Sequence, residues 1–273
     1  MIDLLNEVSN VDTNKLFAIL LGQSGAGKSH VAGTAPGKIL HLYLDSERHG
    51  ITSARKSGSD IVPICIDRDK TGIERKADAA FKFGLDALHP ETLKKADIAS
   101  VVLDGLTELE KLVRGTTKWA NLCLNAQGKH NNFAEATATV QLLDEFMKAL
   151  RVAQDTLGIH IIVTSILDVQ ETDDNGAVAV AKPRLASYSV AESMIQQFPD
   201  ILVVGKVTNP KTKTSGRVFQ TNADVQRVSK DQQGNIKKFI NFEPRLAMPP
   251  GRELPAFIAA DLVEVIKLKT PEK

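Results

Sequence analysis

An apolar run, Leu16-Phe17-Ala18-Ile19-Leu20-Leu21, leads directly into Gly22-Gln23-Ser24-Gly25-Ala26-Gly27-Lys28-Ser29. The second segment satisfies G-x-x-x-x-G-K-[ST] at each fixed position, and the strand before it separates a phosphate loop from a chance match. Glycines let such a loop curl until successive backbone N–H groups point inward at phosphate oxygens. Lys28 is placed to neutralise the β- and γ-phosphates, and Ser29 to set its hydroxyl on Mg²⁺. The positive end of the helix that follows adds to the anion site. The candidate nucleotide-binding residues are therefore Gly22, Gln23, Ser24, Gly25, Ala26, Gly27, Lys28, Ser29 and His30, with ATP and Mg²⁺ as the expected ligands. A strand, a glycine loop and a helix in that order commit the chain to α/β architecture.

The remaining text is consistent with that commitment. Strand-like runs fall at Leu16–Leu21, Ile39–Leu44, Ile61–Ile66, Ser100–Leu103, His160–Thr164, Ile201–Lys206 and Arg217–Thr221. Helical patterns fall at Lys28–Gly33, Gly72–Leu88 and Phe133–Leu157, the last with Val140, Leu143, Phe146, Met147 and Leu150 at helical spacing. Alternation of this kind predicts a mostly parallel, twisted sheet flanked by helices. Beyond about residue 200 the runs are separated by short polar turns such as Asn209-Pro210-Lys211-Thr212, which predicts antiparallel C-terminal strands. A helix over about 254–268 closes the chain. No repeat or low-complexity linker divides it, so a single domain over 1–273 is expected.

A chain of 273 residues, 42% hydrophobic and 25% charged, has the composition of a soluble globular protein. Its formal net charge is +1. From Lys182 to Arg245, however, eleven Lys/Arg stand against five Asp/Glu. That asymmetry reads either as a nucleic-acid face or as an unevenly charged solvated surface. Cys65 and Cys123 offer neither metal spacing nor a disulfide framework. The N-terminus lacks a basic segment followed by a long apolar run, so no signal peptide or membrane span is expected, and the cytoplasm follows as the expected location.

A phosphate loop needs an acidic partner on a neighbouring strand to hold Mg²⁺. Ser100-Val101-Val102-Leu103-Asp104 ends in one, at the strand edge where ligands sit in open α/β sheets. Asp104 is thus the candidate metal residue beside Ser29, reaching the ion through water. A third element, His41-Leu42-Tyr43-Leu44-Asp45-Ser46-Glu47, also ends in acid. Glu47 is the candidate catalytic base that polarises the attacking water, acting with Lys28. Gly105 follows Asp104, so the Asp-Glu pair of many ATPases is absent, and Glu108 lies four residues on.

A phosphate loop, then a strand ending Asp-x-Glu, then a strand ending in Asp, resembles the RecA-type recombinase core over roughly residues 12–250. The resemblance is to the compact phage-encoded branch of AAA-type nucleotide-binding proteins, which includes RecA-like single-strand annealing ATPases. It implies a RecA-like P-loop NTPase fold, an ATPase with ATP and Mg²⁺, and Glu47 as the water-activating residue. It implies single-stranded DNA as partner, with roles in recombination, annealing or repair. A homo-oligomer, ring or filament, follows from it too, with a single-strand-binding protein as a candidate partner and the host cytoplasm as location. Thr164 and Ser165 occupy the place of the γ-phosphate sensor, where recombinases commonly have glutamine. The stretch from Asp168 to Gln197 stands where the family's DNA loops stand. It contains the turn signal Asp173-Asp174-Asn175-Gly176 and the DNA-binding candidates Lys182, Arg184 and Tyr188, then a helix from Val190 to Phe198. Arg217, Arg227 and Arg245 are candidates for insertion into a neighbour's site.

Other readings share the loop. A helicase loader or helicase motor keeps the ATPase and changes its task. A small-molecule kinase would use Asp45 on an acceptor, but no Arg-rich lid lies between Asp104 and His160. A GTPase would carry Asn-Lys-x-Asp, which does not occur.

Overall fold

The computed structural model describes residues 15–169, 181–208, 215–220, 246 and 257–270. The first strand is β1 (Phe17–Gly22), buried along its whole length. It feeds α1 (Lys28–Ala32), β2 (Ile39–Tyr43), a three-ten turn at Asp45–Glu47 and α2 (Arg48–Arg55). Next come β3 (Ile61–Cys65), α3 (Ala77–Ala87), α4 (Pro90–Lys95), β4 (Ser100–Asp104), α5 (Leu106–Arg114) and α6 (Thr117–Leu122). The long helix α7 (Glu135–Leu157) returns the chain to β5 (His160–Val169). The described residues then continue as β6 (Ala181–Pro183), α8 (Tyr188–Ile195), β7 (Asp200–Thr208), β8 (Ser215–Gln220), β9 (Phe257–Ala259) and α9 (Leu262–Lys269).

The strands form one sheet in the order β3-β2-β4-β5-β1-β7-β8-β9, with β6 paired to β5. Strands β1 to β5 and β7 run parallel. β8 is antiparallel to β7, β9 to β8, and β6 to β5. Parallel strands need helical crossovers, so the central strands are covered on both faces. That is why β1 and β4 read as unbroken apolar runs. The alternation survives within the burial. Phe17, Ile19 and Leu21 pack into the larger core with α3, α5, α7 and α8. Ala18 and Leu20 face a smaller core with Val31, Phe219, Leu262 and Val265.

The sequence reading places most strands within one or two residues of where they form; it omits α2, α4, α5, α6, β6 and β9, and three of its element bounds shift for identifiable reasons. The helix expected from Gly72 starts at Ala77, because the backbones of Arg68 and Glu74 pair in an isolated antiparallel bridge and Asp69 caps the turn by accepting from the Thr71 and Ile73 N–H groups. The strand His160–Thr164 extends to Val169, because β6 pairs with its far end. The C-terminal helix begins at Leu262, because Phe257–Ala259 is taken as a sheet strand by β8. The turn at Asp173–Gly176, and Arg227 and Arg245, lie outside the described residues. Neither cysteine is activated. Burial, followed by the Asp67 hydrogen bond, pushes the Cys65 thiol up to about 11. Among the described residues no helix is long and apolar enough to cross a membrane.

Candidate nucleotide site

The carboxyl ends of β1, β2, β4 and β5 converge, and register brings their functional residues together. Tyr43 aligns with Asp104, Asp104 with Thr164, and Leu21 with Ser165. A cleft of about 300 Å³ opens there. Ser24, Gly25, Gly27, Lys28, Ser29, Glu47, Asp104, Thr164 and Ser165 line it, joined by His49, Gly50, Ser53, Gly105, Thr107, Ile166 and Arg217.

The loop closes on itself through Ala26 N–H to Gln23 O at 3.1 Å and Val31 N–H to Gly27 O at 3.0 Å. Gly27 caps α1 with φ 95°, a left-handed conformation that favours glycine. Lys28 Nζ donates to Gly22 O at 2.9 Å and Gln23 O at 3.2 Å. Burial lowers the Lys28 pKa, against the attraction of Asp104 and Glu47. Its ammonium is thereby partly stripped of water, which strengthens its pull on a phosphate oxygen. Two of the expected loop contacts are used internally instead. Gln23 Nε2 donates to Leu167 O at 3.3 Å, and His30 Nδ1 lies 3.1 Å from Ser53 O.

Asp104 is almost fully buried. Burial alone would raise its pKa, but hydrogen bonds from His41, Thr164 and Ser29 outweigh that and hold it below the ordinary carboxylate value. His41 Nε2 lies 3.2 Å from Asp104 Oδ2, and Thr164 donates to the other carboxylate oxygen. The carboxylate is therefore kept charged and fixed from behind. Helix α2 approaches it from the front. A Cβ added at Gly50 would fall 2.6 Å from Ser29 Oγ and 2.8 Å from Asp104 Oδ2. Only glycine leaves the gap between those oxygens open. Their hard oxygen chemistry suits Mg²⁺, which keeps waters and takes one or two carboxylates plus substrate phosphates. Among the described residues no group of three or more His, Cys, Asp or Glu could hold a metal by itself. The donor set thus fits an ion completed by phosphate and water.

Glu47 lines the cleft and Glu108 does not. Burial, then repulsion from Asp104 and Glu108, raises the Glu47 pKa and with it the basicity of its carboxylate. Asp45 is engaged elsewhere, with Arg68 at 2.8 Å and its own N–H on Asp67 at 2.9 Å. Glu108 pairs with Lys111 at 2.6 Å. Ser165 Oγ is 3.3 Å from Thr107 Oγ1, which in turn donates to Arg184 O at 3.0 Å.

The DNA candidates lie beyond that link. Lys182 pairs with Asp168 at 2.9 Å and sits 5.8 Å from the Tyr188 ring centre. Arg184 and Tyr188 are exposed. Sequence reasoning passed over His41, Gly50 and Thr107. The face of α2 had a signal, since His49, Gly50 and Ser53 recur at helical spacing, whereas His41 had none. Arg217, one of three candidates for insertion into a neighbour's site, lines this chain's own cleft.

A family profile described as an AAA domain matches residues 14–232. No curated protein matches the sequence significantly.

Proposed function

The chain belongs to the AAA domain family, and on that premise we propose that it hydrolyses ATP in this cleft, using Glu47 as the base, and couples the reaction to single-stranded DNA. Members of the family are generally ATPases. The observation that carries the reading is the cleft itself, where Lys28, Ser29, Asp104 and the half-buried Glu47 converge. Backbone N–H groups of the loop and the Lys28 ammonium bind the phosphates. Ser29 and, through water, Asp104 would hold Mg²⁺, which would neutralise charge on the outer phosphates. Glu47 orients the attacking water and accepts its proton. Thr164 keeps Asp104 in place, and Ser165 stands where the terminal phosphate would be sensed.

The DNA half of the proposal rests on the chain of contacts Ser165–Thr107–Arg184. It joins the cleft to the backbone of Arg184, whose exposed side chain lies near in sequence to the exposed Tyr188, a cation and a ring suited to phosphates and bases. Phosphate release from Mg·ATP, measured with and without an oligonucleotide, tests both halves. Hydrolysis stimulated by single strands is expected. Replacing Lys182 and Arg184 by alanine should weaken oligonucleotide binding. It should also flatten the slope of log K against log salt by about 0.7 per lost contact. Hydrolysis without stimulation, or a double variant with unchanged affinity and slope, would remove DNA from the account.

A further inference from the structure

We infer that Arg217 is a phosphate-binding residue acting in cis, on the part of the nucleotide that ATP and ADP share; the inference rests on nucleotide binding in the cleft. Three observations carry it. First, Arg217 packs onto the phosphate loop. A Cβ added at Gly27 would fall 2.3 Å from Arg217 Nε and 3.0 Å from its Cζ. Glycine at 27 therefore serves two needs, the left-handed turn and the passage of a guanidinium. Second, the side chain is exposed and lines the cleft, and no carboxylate among the described residues pairs with it. A cation brought to the mouth of an anion site and left unneutralised there favours an anionic ligand. Third, topology fixes which part of the ligand it meets. Strand β8 lies beyond β7, on the side of β1 away from β5, β4 and β2. Glu47, Asp104 and Ser165 occupy that other side, where water attacks. Arg217 approaches the loop from the opposite flank, so it meets the inner phosphates and not the one transferred.

An arginine from a neighbouring subunit would act on the terminal phosphate and govern kcat. Arg217 should govern affinity. Binding of a fluorescent ADP analogue with Mg²⁺ is the direct reading, on the full chain. Losing one charge-assisted contact should weaken it roughly ten- to a hundredfold in R217A. R217K should fall between, because an ammonium cannot reproduce the two-pronged contact. KM for ATP should rise far more than kcat falls, and the thermal midpoint without nucleotide should stay where it is, since the side chain is exposed. Mixing R217A with K28A, whose Arg217 is intact, should restore no activity at subsaturating ATP. Unchanged ADP affinity in R217A, or rescue by mixing, would overturn the inference while leaving the ATPase reading intact. A wild-type chain that binds no ADP would overturn both.

Discussion

Glu47 is the residue on which the chemistry turns, and its surroundings make its behaviour testable. Glutamine in its place keeps shape and hydrogen bonding but loses basicity. E47Q should bind Mg·ATP normally and hydrolyse it about 10²- to 10⁴-fold more slowly. E108Q, which alters a side chain paired with Lys111 outside the cleft, should change the rate little. The pH profile gives a second reading of the same residue. Burial raises the Glu47 pKa, and a base acts only when deprotonated. The rate should therefore fall on the acid side, with a limb above the ordinary glutamate value of about 4.3. That limb should vanish in E47Q. Lys28, Ser29 and Asp104 are legible in the sequence because their chemistry demands a set spacing or a strand end. His41 is not, because a histidine within an apolar run carries no mark of the carboxylate it will meet across a parallel ladder. The role of Arg217 is hidden for the same reason, since only the pairing of β8 with β7 returns it to the loop.

At the scale of elements, the central strands were legible because burial on both faces writes them as apolar runs, whereas the short strands β6 and β9 were not. Nor were the helices α2, α4, α5 and α6. They are short and charged, and their periodicity spans too few turns to stand out. Helix α9 is tied down by a buried ion pair as well as by its apolar face. Lys269 Nζ donates to both carboxylate oxygens of Asp200, at 2.9 and 2.7 Å, and both side chains are buried. Asp200 also accepts from Phe17 N–H at 3.3 Å. One ion pair thus ties the C-terminal helix to β7 and to the start of β1. K269M would strand a buried carboxylate, and chemical denaturation should show a loss of about 3–5 kcal/mol. D200N/K269M removes the charge and keeps an acceptor for Phe17, so it should recover much of that loss. A double variant as unstable as K269M would contradict this account of the clamp.

Over the whole molecule, the sheet order puts the phosphate loop between two functional flanks. Strands β4 and β2 bring the acidic groups, β5 brings the hydroxyls of Thr164 and Ser165, and β8 brings Arg217. The basic excess between Lys182 and Arg245 was visible in the composition. Its local meaning was not, because Lys182 is paired with Asp168 across the β5–β6 ladder. Fold class followed from the phosphate loop and the alternation around it, whereas the far ends of β5 and β9 depended on partners distant in sequence. The central claim is that this one cleft binds and hydrolyses ATP. The direct measurement is phosphate release from Mg·ATP by the wild type and K28A at equal concentration. The wild type should release phosphate steadily and K28A should lose turnover, with nucleotide affinity weakened by about 1.5–3 kcal/mol for the lost charged contact. Equal release by the two proteins would contradict it.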